Sequence, residues 1–233
     1  MRGMMLLPAL NEERQIAAVL RGLAQWANGF EPVVIDDGSV DDTGKVARQA
    51  GATVLRHPFN LGYGAALQTG YKYALGRGMD LVVQLDADGQ HDPADVARLI
   101  EPIVEGAADV VIGSRFVERS SYRMGLTRSL GRKLFGGLGK LVGLDVTDPT
   151  SGFQALNRVA LELYARDFFP ADYPDIDVLL MAHRRGLRVV EVPVQMREAP
   201  RKSRLHGGLR SFYYVYKIAL SLWAGSGARP RRD

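Results

Sequence analysis

The alternation of short apolar runs with longer amphipathic segments is the feature that most constrains the fold of this chain. Apolar runs of three to five residues predict buried strands at Met4–Leu7, Pro32–Ile35, Thr53–Leu55, Leu81–Leu85 and Val110–Ile112. Helical spacing fills the intervals, at Glu12–Ala27, Asp42–Ala50, Gly64–Leu75 and Pro93–Glu105. Strands and helices in alternation predict an α/β fold, a doubly wound parallel sheet with right-handed crossovers and helices on both faces.

Local signals at the helix starts agree with this pattern. Asp41 and Asp92 are predicted N-caps, and Pro93 suits the first position of a helix. The later elements are predicted from the same periodicities: a loop over Gly113–Gly143 leading into a helix near Leu130–Leu141, a strand at Thr150–Asn157, a helix at Ile176–Arg185 and a strand at Leu187–Val192. We predict one domain over residues 1–224 and a basic, disordered tail over residues 225–233.

The composition narrows the range of partners and compartments. No cysteine occurs among the 233 residues, which excludes disulfides, cysteine-bound zinc and thiol catalysis and fits a cytoplasmic protein. The net charge of +4 indicates an anionic partner, which is a phosphorylated substrate, an acidic lipid or a nucleic acid. Nucleic acid is the weakest of the three, because the chain lacks interleaved aromatic and basic residues.

The protein is predicted to be soluble or bound peripherally to a membrane. No uncharged apolar stretch of about 18 residues is present, so no transmembrane helix is predicted. Leu209–Trp223 is rich in aromatic residues and has flanking arginines, which is typical of a segment in the membrane interface. The same segment equally suits a helix that covers the sheet or forms a homodimer contact. We expect a cytoplasmic protein. If Leu209–Trp223 is an attachment segment, we expect it to bind the inner face of the cell membrane or a membrane-protein partner.

Acidic and turn-forming clusters follow three of the predicted strands, where parallel α/β sheets bind their ligands. The clusters are Pro8–Glu13, Asp36–Thr43 and Asp86–His91. Asp86 and Asp88 are two residues apart, so at a strand end they point to the same side, and two close carboxylates are costly unless a cation neutralises them. Mg²⁺ or Mn²⁺ together with a diphosphate is the predicted occupant. One D-x-D alone could simply cap a turn, but three clusters at successive strand ends favour a site.

Other candidate residues fit simpler roles. Asp36–Ser39 suits a turn and N-cap as well as hydrogen bonds to a ribose or a base. Gly62 and Gly64 match neither a Walker A loop nor G-x-G-x-x-G, and are predicted loop and helix-start glycines. His91 has no partners at metal-ligand spacing, so a structural role or the support of a neighbouring ligand is predicted. No Ser-His-Asp arrangement is evident for the remaining histidines, which are His57, His183 and His206.

Six motifs occur in a fixed order along the chain: PALNEE, DDGSVDDT, NLGYGAALQTGYKYA, DADGQHDP, GSR and DPTSGFQALNR. With them the chain resembles the family 2 glycosyltransferases, in particular the branch of dolichol-phosphate mannosyltransferase and the bacterial polyprenyl-phosphate glycosyltransferases. The resemblance runs from about Met4 to about Arg204. Each motif is weak alone, but the ordered set is highly specific. The resemblance implies a GT-A type, Rossmann-like fold that binds a nucleotide-sugar.

The resemblance also implies roles in binding the donor. It assigns nucleotide binding to five positions, Pro8, Leu10, Glu12, Ile35 and Asp37. It assigns contacts with the diphosphate-sugar to Asp86 and Ala87, and it makes Arg197 the arginine that closes over the donor diphosphate. The family pattern R-x-x-G-x-S-K departs here, since the glycine is missing and Arg204 replaces the final lysine. The departure leaves the role of Arg204 in donor binding open.

A metal and an acceptor are implied in the same way. Asp88 and Gln90 match the metal-binding positions, and Asp86 lies beside them, so Mg²⁺ or Mn²⁺ is expected. Arg115 matches a phosphate-binding arginine of the family, and Arg128 falls where a further acceptor-loop arginine is usual. The implied partners are a GDP- or UDP-hexose donor and a lipid phosphate acceptor.

The resemblance implies transfer of mannose or glucose to polyprenyl or dolichyl phosphate, for which we hypothesise a direct, inverting displacement. The second pKa of a phosphate monoester is about 6, so the acceptor is largely ionised and needs no strong base. Asp88 and Arg197 are the expected catalytic residues, because the metal on Asp88 and the charge of Arg197 would stabilise the leaving diphosphate. Asp177 is either a base or sugar ligand, or only a helix-start carboxylate favoured by the macrodipole.

Three other hypotheses differ in the acceptor, in the class of protein or in the group transferred. A glycosyltransferase could act on a soluble saccharide or phosphoglycerate, and an isoprenoid-phosphate assay beside a sugar-acceptor panel separates the two. A nucleotide-sugar-binding partner without activity would not hydrolyse donor sugars. A nucleotidyltransferase of similar topology usually has a Gly-rich loop with a basic residue after its first strand, whereas Pro8–Glu13 has none.

Overall fold

A single mixed sheet organises the part of the chain described by the computed structural model, which comprises residues 1–26, 29–117, 146–171, 174 and 176–197. Its seven strands within these ranges are β1 (Gly3–Ala9), β2 (Phe30–Asp36), β3 (Thr53–Arg56), β4 (Leu81–Gln84), β5 (Val110–Ser114), β6 (Gln154–Asn157) and β7 (Val189–Pro193). Their order across the sheet is β3-β2-β1-β4-β6-β5-β7. The predictions for Leu130–Leu141, Arg128, Arg204, Leu209–Trp223 and residues 225–233 lie outside the described residues.

Helices cover both faces of the sheet, as predicted. They are α1 (Ile16–Trp26), α2 (Thr43–Gln49), α3 (Tyr63–Gly76), α4 (Val96–Val104), α5 (Arg158–Tyr164) and α6 (Ile176–Arg184). Successive strand residues alternate between two cores: Leu6 and Ile35 pack with α3, α5 and α6, whereas Leu7 and Val34 pack with α1, α2 and α4. None of the helices in the described ranges has the length and hydrophobicity needed to span a bilayer.

The sheet is not parallel throughout, which corrects the sequence-based prediction. β6 runs antiparallel to both of its neighbours, β4 and β5, while all other pairs are parallel. The chain leaves β5 at the carboxyl edge and enters β6 from that same edge, with Gln154 opposite Ile112. Of the predicted strand Thr150–Asn157, only Gln154–Asn157 forms. The residues before it leave the strand pairing, because the Ser151 hydroxyl donates to the Gly113 carbonyl at 2.6 Å.

The first helix begins four residues later than predicted, at Ile16 rather than Glu12. Asn11 adopts a positive φ of 59°, and the main-chain N–H of Glu12 donates to the Thr43 hydroxyl at 2.8 Å. The bond between Glu12 and Thr43 fixes the segment after β1 to the loop after β2. The predicted helix Pro93–Glu105 is a 3₁₀ turn, Pro93–Asp95, followed by α4.

The two predicted N-caps differ in outcome. Asp92 caps the turn as predicted, since its carboxylate accepts from the Ala94 N–H at 3.1 Å. Asp42 rather than Asp41 occupies the cap position of α2, although Asp41 accepts from the Thr43 N–H at 3.0 Å. The Asp41 side chain thus accepts from the first N–H of α2, although Asp41 lies one residue before the N-cap position.

Candidate active site

The carboxyl edge of the sheet gathers the acidic loop that follows β4. Because β4 ends at Gln84, Asp86 and Asp88 lie in that loop rather than on a strand end. The Tyr63 hydroxyl, at the start of α3, donates to Asp86 Oδ1 at 2.9 Å, and the Nε2 atom of buried His91 lies 3.4 Å from Asp86 Oδ2. Gly152 is packed so closely that a Cβ there would approach both Asp86 oxygens at 3.0 and 3.1 Å. Two side chains and the close packing of Gly152 therefore fix the Asp86 carboxylate.

The two acids of this loop have opposite pKa shifts. Burial on its own would raise the pKa of Asp86, but the hydrogen bond and charge of His91, the Tyr63 hydroxyl and the charge of Arg115 together lower it below 3.8. Burial and the charge of Asp86 raise the pKa of Asp88 above 3.8, although its carboxylate accepts from the Gln90 N–H at 3.0 Å. The negative charge of Asp86 is thus already stabilised by its neighbours. The negative charge of Asp88 is stabilised less, and an added positive charge would stabilise it more.

A divalent cation fits this loop. Asp88 and Gln90 supply carboxylate and amide oxygens, which are the ligand types of Mg²⁺ and Mn²⁺. No group of three or more His, Cys, Asp or Glu able to hold a metal is found among the described residues. Asp88 and Gln90 would be a partial ligand set, of the kind that Mg²⁺ completes with water and substrate phosphates.

The segment after β7 brings Arg197 to the same loop. Met196 forms a β-bridge with His91, and the Arg197 N–H donates to the Gln90 carbonyl at 2.8 Å. The Arg197 guanidinium lies 3.3 Å from Asp92 and is 63% exposed. An exposed arginine on a backbone anchored at Gln90 is suitably placed to reach an anion bound at the acidic loop.

Arg115 follows β5 and is held by an acid that the sequence reasoning missed. Its Nε donates to Asp148 Oδ2 at 2.6 Å and its main-chain N–H to the same oxygen at 3.0 Å, while Nη2 donates to Asp148 Oδ1 and, at 3.0 Å, to the Thr150 hydroxyl. Asp148 is 1% exposed. After the contacts of His91 and Tyr63, the positive charge of Arg115 makes the smallest contribution to the lowered pKa of Asp86.

A glutamate on β7 holds the loop that carries Asp148. Glu191 accepts from the Thr147 N–H and hydroxyl, both at 2.8 Å, and from the Asp148 N–H at 2.7 Å. Burial and the charge of Asp148 raise the pKa of Glu191 above 4.5. Glu191, Asp148 and Arg115 thus form one chain of contacts from β7 to the site.

The positions implied for nucleotide binding lie at the ends of β1 and β2. Pro8 and Ile35 are paired in register and buried, and the Ile35 side chain points into the core beside Gly70. Asp37 accepts from the Leu61 N–H at 2.9 Å and, through its other oxygen, from the Gly62 N–H at 3.0 Å. The Ile35 side chain is thus buried in the core and the Asp37 carboxylate is bonded to the loop before α3, and nucleotide binding at these positions stays a prediction.

Asp37 also bonds a histidine, at 2.7 Å from His57 Nδ1, whose Nε2 lies 2.9 Å from the Thr69 hydroxyl. The predicted absence of a Ser-His-Asp arrangement needs this qualification. The Asp-His-Thr chain is buried and connects β2, β3 and α3, so its evident role is to fasten the loop between β3 and α3. The carboxylate of Asp37 is engaged in that loop.

The remaining candidates are placed at the same edge. Leu10 and Glu12 are half-buried in the segment after β1, and Ala87 is buried between the two acids. Asp177 lies in the first turn of α6, where its carboxylate accepts from the Val178 N–H at 3.0 Å. Burial and the charge of Asp177 raise the pKa of the Tyr164 hydroxyl. Both readings of Asp177, as a base or as a helix-start acid, therefore stay predictions.

Sequence reasoning assigned no role to Tyr63, Asp148 or Glu191. Tyr63 and Asp148 occur within the motifs NLGYG and DPTSGF, so the motifs could have signalled them. Glu191 is a single acid inside the otherwise apolar run VVEVP, which is itself unusual for a strand flanked by a buried core. Gly62 and Gly64 are loop and helix-start glycines as predicted, with Gly62 at φ 104° before α3.

Comparison with known proteins identifies the family of this chain. The sequence model of Glycosyl transferase family 2 matches residues 5–164, more than half of the chain. Undecaprenyl-phosphate mannosyltransferase from Micrococcus luteus is 31% identical over 222 residues, which cover 90% of this chain and 89% of that protein. UDP-N-acetylglucosamine–dolichyl-phosphate N-acetylglucosaminyltransferase from Methanococcus voltae is 31% identical over 211 residues, 82% of this chain and 84% of that protein.

A solved structure extends the comparison to the fold. Glucosyl-3-phosphoglycerate synthase from Mycobacterium tuberculosis, in complex with Mn²⁺, UDP and glucosyl-3-phosphoglycerate, matches with a TM-score of 0.76 and 28% identity. The match covers 95% of this chain and 80% of that one. The expected GT-A type architecture is confirmed, and the chain belongs to glycosyl transferase family 2 and is a glycosyltransferase.

Proposed function

We propose that this glycosyltransferase moves mannose or glucose from a GDP- or UDP-sugar to polyprenyl or dolichyl phosphate, with inversion at the anomeric carbon and with Mg²⁺ or Mn²⁺ as cofactor. The observation that carries the proposal is that one segment contacts both charged groups of the site, because Asp148 and Thr150 bond Arg115 while Gly152 packs against the Asp86 carboxylate. A cation held by the acidic loop would bind the donor diphosphate. The arginine fixed at the same edge of the sheet is suited to the acceptor phosphate. The names of the relatives from Micrococcus luteus and Methanococcus voltae support a lipid phosphate acceptor.

The donor is held by residues of the acidic loop and its surroundings. Asp88 and Gln90, with Asp86 beside them, would hold the cation, which when bound offsets the negative charge of the leaving nucleoside diphosphate. Arg197 is exposed and anchored at Gln90, so its guanidinium can bind the donor diphosphate. Pro8, Leu10, Glu12, Ile35 and Asp37 are proposed to form the nucleotide end of the same site.

The acceptor needs positioning more than activation. Its ionised phosphate oxygen attacks the anomeric carbon, the bond from that carbon to the diphosphate oxygen breaks, and the electron pair leaves with the nucleoside diphosphate. Arg115 is proposed to bind the acceptor phosphate, with Arg128 as a second arginine. Asp177 would be required as a base only for a hydroxyl acceptor, because a phosphate monoester is largely ionised near neutrality.

A soluble phosphate acceptor is the second candidate, favoured by the likeness to a structure that contains glucosyl-3-phosphoglycerate. Undecaprenyl phosphate and 3-phosphoglycerate both present a phosphate monoester, so Arg115 would act on either. Initial rates with GDP-mannose and UDP-glucose in Mn²⁺ or Mg²⁺, measured for these two acceptors and for free saccharides, separate the candidates. We expect transfer to undecaprenyl phosphate, and transfer to 3-phosphoglycerate alone would refute the lipid acceptor.

Asp88→Ala tests the metal assignment in the same assay. We expect transfer to fall on the order of a hundredfold to a thousandfold, the scale of losing one electrostatic stabiliser of a transition state. Asp167→Ala removes an exposed acid paired with Lys72 and should retain activity. Full activity in Asp88→Ala would refute the metal assignment, and comparison with Asp177→Ala would show whether a base is needed. A thermal-shift screen of GDP- and UDP-sugars with each cation would identify the base of the donor.

A further inference from the structure

We infer that Glu191 is a positioning residue of this enzyme, which holds the Thr147–Asp148 loop and through Asp148 fixes the guanidinium of Arg115 at the site. The inference rests on the acceptor role proposed for Arg115. Glu191 itself lies on β7, one contact removed from the arginine, and no role was assigned to it from the sequence.

The first step is the bond between Glu191 and the loop. One Glu191 oxygen accepts from the Thr147 N–H and hydroxyl, and the other accepts from the Asp148 N–H, all within 2.7 to 2.8 Å. Three donors converge on a half-buried carboxylate, and hydrogen bonds to a charged acceptor are among the stronger ones in proteins. The bonds to the N–H groups of Thr147 and Asp148 fix the main chain at these two residues.

The second step is the bond between Asp148 and Arg115. The Asp148 carboxylate binds the edge of the Arg115 guanidinium that Nε and Nη2 form. It also accepts from the main-chain N–H of Arg115. A planar guanidinium bound along one edge has its plane and direction set by the carboxylate. A shift of the Asp148 main chain therefore moves the arginine, and the Ser114 hydroxyl, 3.1 Å from the Thr147 hydroxyl, connects the same loop to β5.

Glu191→Gln is the direct test. Glutamine keeps the size of the side chain, but its amide nitrogen would face an N–H donor of Thr147 or Asp148, so the loop has to move. We expect KM for the phosphate acceptor to rise about tenfold to a hundredfold, the scale of a small misplacement in a site, with KM for the donor unchanged. Glu31→Gln is the matched control, because Glu31 is also a part-buried strand acid, and it pairs with Arg77 at the other end of the sheet.

Thr147→Val provides a milder variant if Glu191→Gln fails to fold. It removes one of the three donors at nearly constant volume, and we expect a smaller rise in the acceptor KM. A double-mutant cycle then tests the route. If Glu191 acts through Arg115, Glu191→Gln adds little to the effect of Arg115→Met, whereas additive effects on KM would overturn the inference.

A readout independent of turnover separates this inference from the proposed function. In ¹⁵N-arginine-labelled protein, the Arg115 Nε–H bonded to buried Asp148 should give a slowly exchanging signal, identified by its loss in Arg115→Met. We expect faster exchange in Glu191→Gln and no change in Glu31→Gln. An unchanged signal in Glu191→Gln overturns the positioning role. An unchanged acceptor KM in Arg115→Met refutes the acceptor role proposed for Arg115, while the exchange result still decides the role of Glu191.

Discussion

Two acids of the candidate site, one in each half of the sheet, are held in different ways. In the N-terminal half, from β1 to α4, the Asp88 carboxylate accepts a hydrogen bond from the main-chain N–H of Gln90, and burial raises its pKa. In the C-terminal half, from β5 to β7, the buried Asp148 is paired with the guanidinium of Arg115. A hydrogen bond from a main-chain dipole leaves the charge of a carboxylate in place, whereas an arginine offsets it. The loop of Asp88 is therefore suited to a cation, and Asp148 already has one beside it.

The largest expected effect is on stability and concerns the charge pair of the C-terminal half. Arg115→Met leaves Asp148 buried without its cation, and breaking a buried pair in this way costs about 3–5 kcal/mol of unfolding free energy. Arg115→Met combined with Asp148→Asn removes both charges and should restore much of that loss. Arg158→Met, in an exposed pair with Glu162, should cost little. Chemical denaturation measures all three, and equal losses in the single and double variants would contradict the neutralised-pair description.

The corresponding change in the N-terminal half is Asp37→Asn. An amide nitrogen would replace one of the oxygens that accept from the Leu61 N–H, the Gly62 N–H and His57, and a buried donor left without an acceptor costs about 1–3 kcal/mol. Asp42→Asn, at an exposed position, is the control. A drop in unfolding free energy for Asp37→Asn alone is expected in denaturant titrations. Wild-type stability in Asp37→Asn would mean that main-chain bonds do not fix this loop.

Gly152→Ala tests the contact between the two halves. The added Cβ would lie 2.8 Å from the Tyr63 hydroxyl and 3.0 Å from Asp86 Oδ1, so the acid has to move. We expect kcat to fall about tenfold to a hundredfold, with a smaller change in stability. Gly76→Ala, with no atom within 4 Å of the new Cβ, should keep kcat and raise the stability by up to about 1 kcal/mol. Wild-type kcat in Gly152→Ala would show that Asp86 need not be held in place.

The smallest effect is a pH dependence of stability at Asp88. Its pKa in the folded protein is raised above 3.8, so its favourable contribution is present below that value and is lost as the pH rises through the folded pKa. Asp88→Asn should therefore melt at a slightly higher temperature than the wild type at pH 7, and this advantage should vanish near pH 4. Asp86, whose pKa is lowered, has the opposite sign, and Asp86→Asn should be the less stable protein at pH 7. A lower melting temperature for Asp88→Asn at pH 7 would show that Asp88 is already compensated.

The sequence predicted the N-terminal half better than the C-terminal half, for a physical reason. In the first half each strand is followed by its own helix, so periodicity and turn residues placed β1 to β4 within a few residues. Where the start of α1 was wrong, the cause was a tertiary bond from the Glu12 N–H to Thr43. The direction of β6 depends on where a long connection returns to the sheet, and no local pattern records that.

The site shows the same division. Asp86 and Asp88 were predicted from their spacing and their place after a strand, the GSR motif pointed to Arg115, and the family pattern R-x-x-G-x-S-K pointed to Arg197. The partners that fix them were not found, because Tyr63 lies 23 residues from Asp86, Asp148 lies 33 from Arg115, and Glu191 lies 44 from Thr147. Contacts at such separations depend on the folded sheet and leave only faint traces in one sequence.

Binding of the two substrates to two variants tests the division of the site most directly. Titration calorimetry with UDP-glucose or GDP-mannose in Mn²⁺ gives the donor Kd, and initial rates give the acceptor KM. Asp88→Asn should lose metal-dependent donor binding, whereas Arg115→Met with Asp148→Asn should keep the wild-type donor Kd and raise the acceptor KM about tenfold or more. Loss of donor binding in both variants, or an unchanged acceptor KM in the second, would contradict the assignment of donor and acceptor to the two halves.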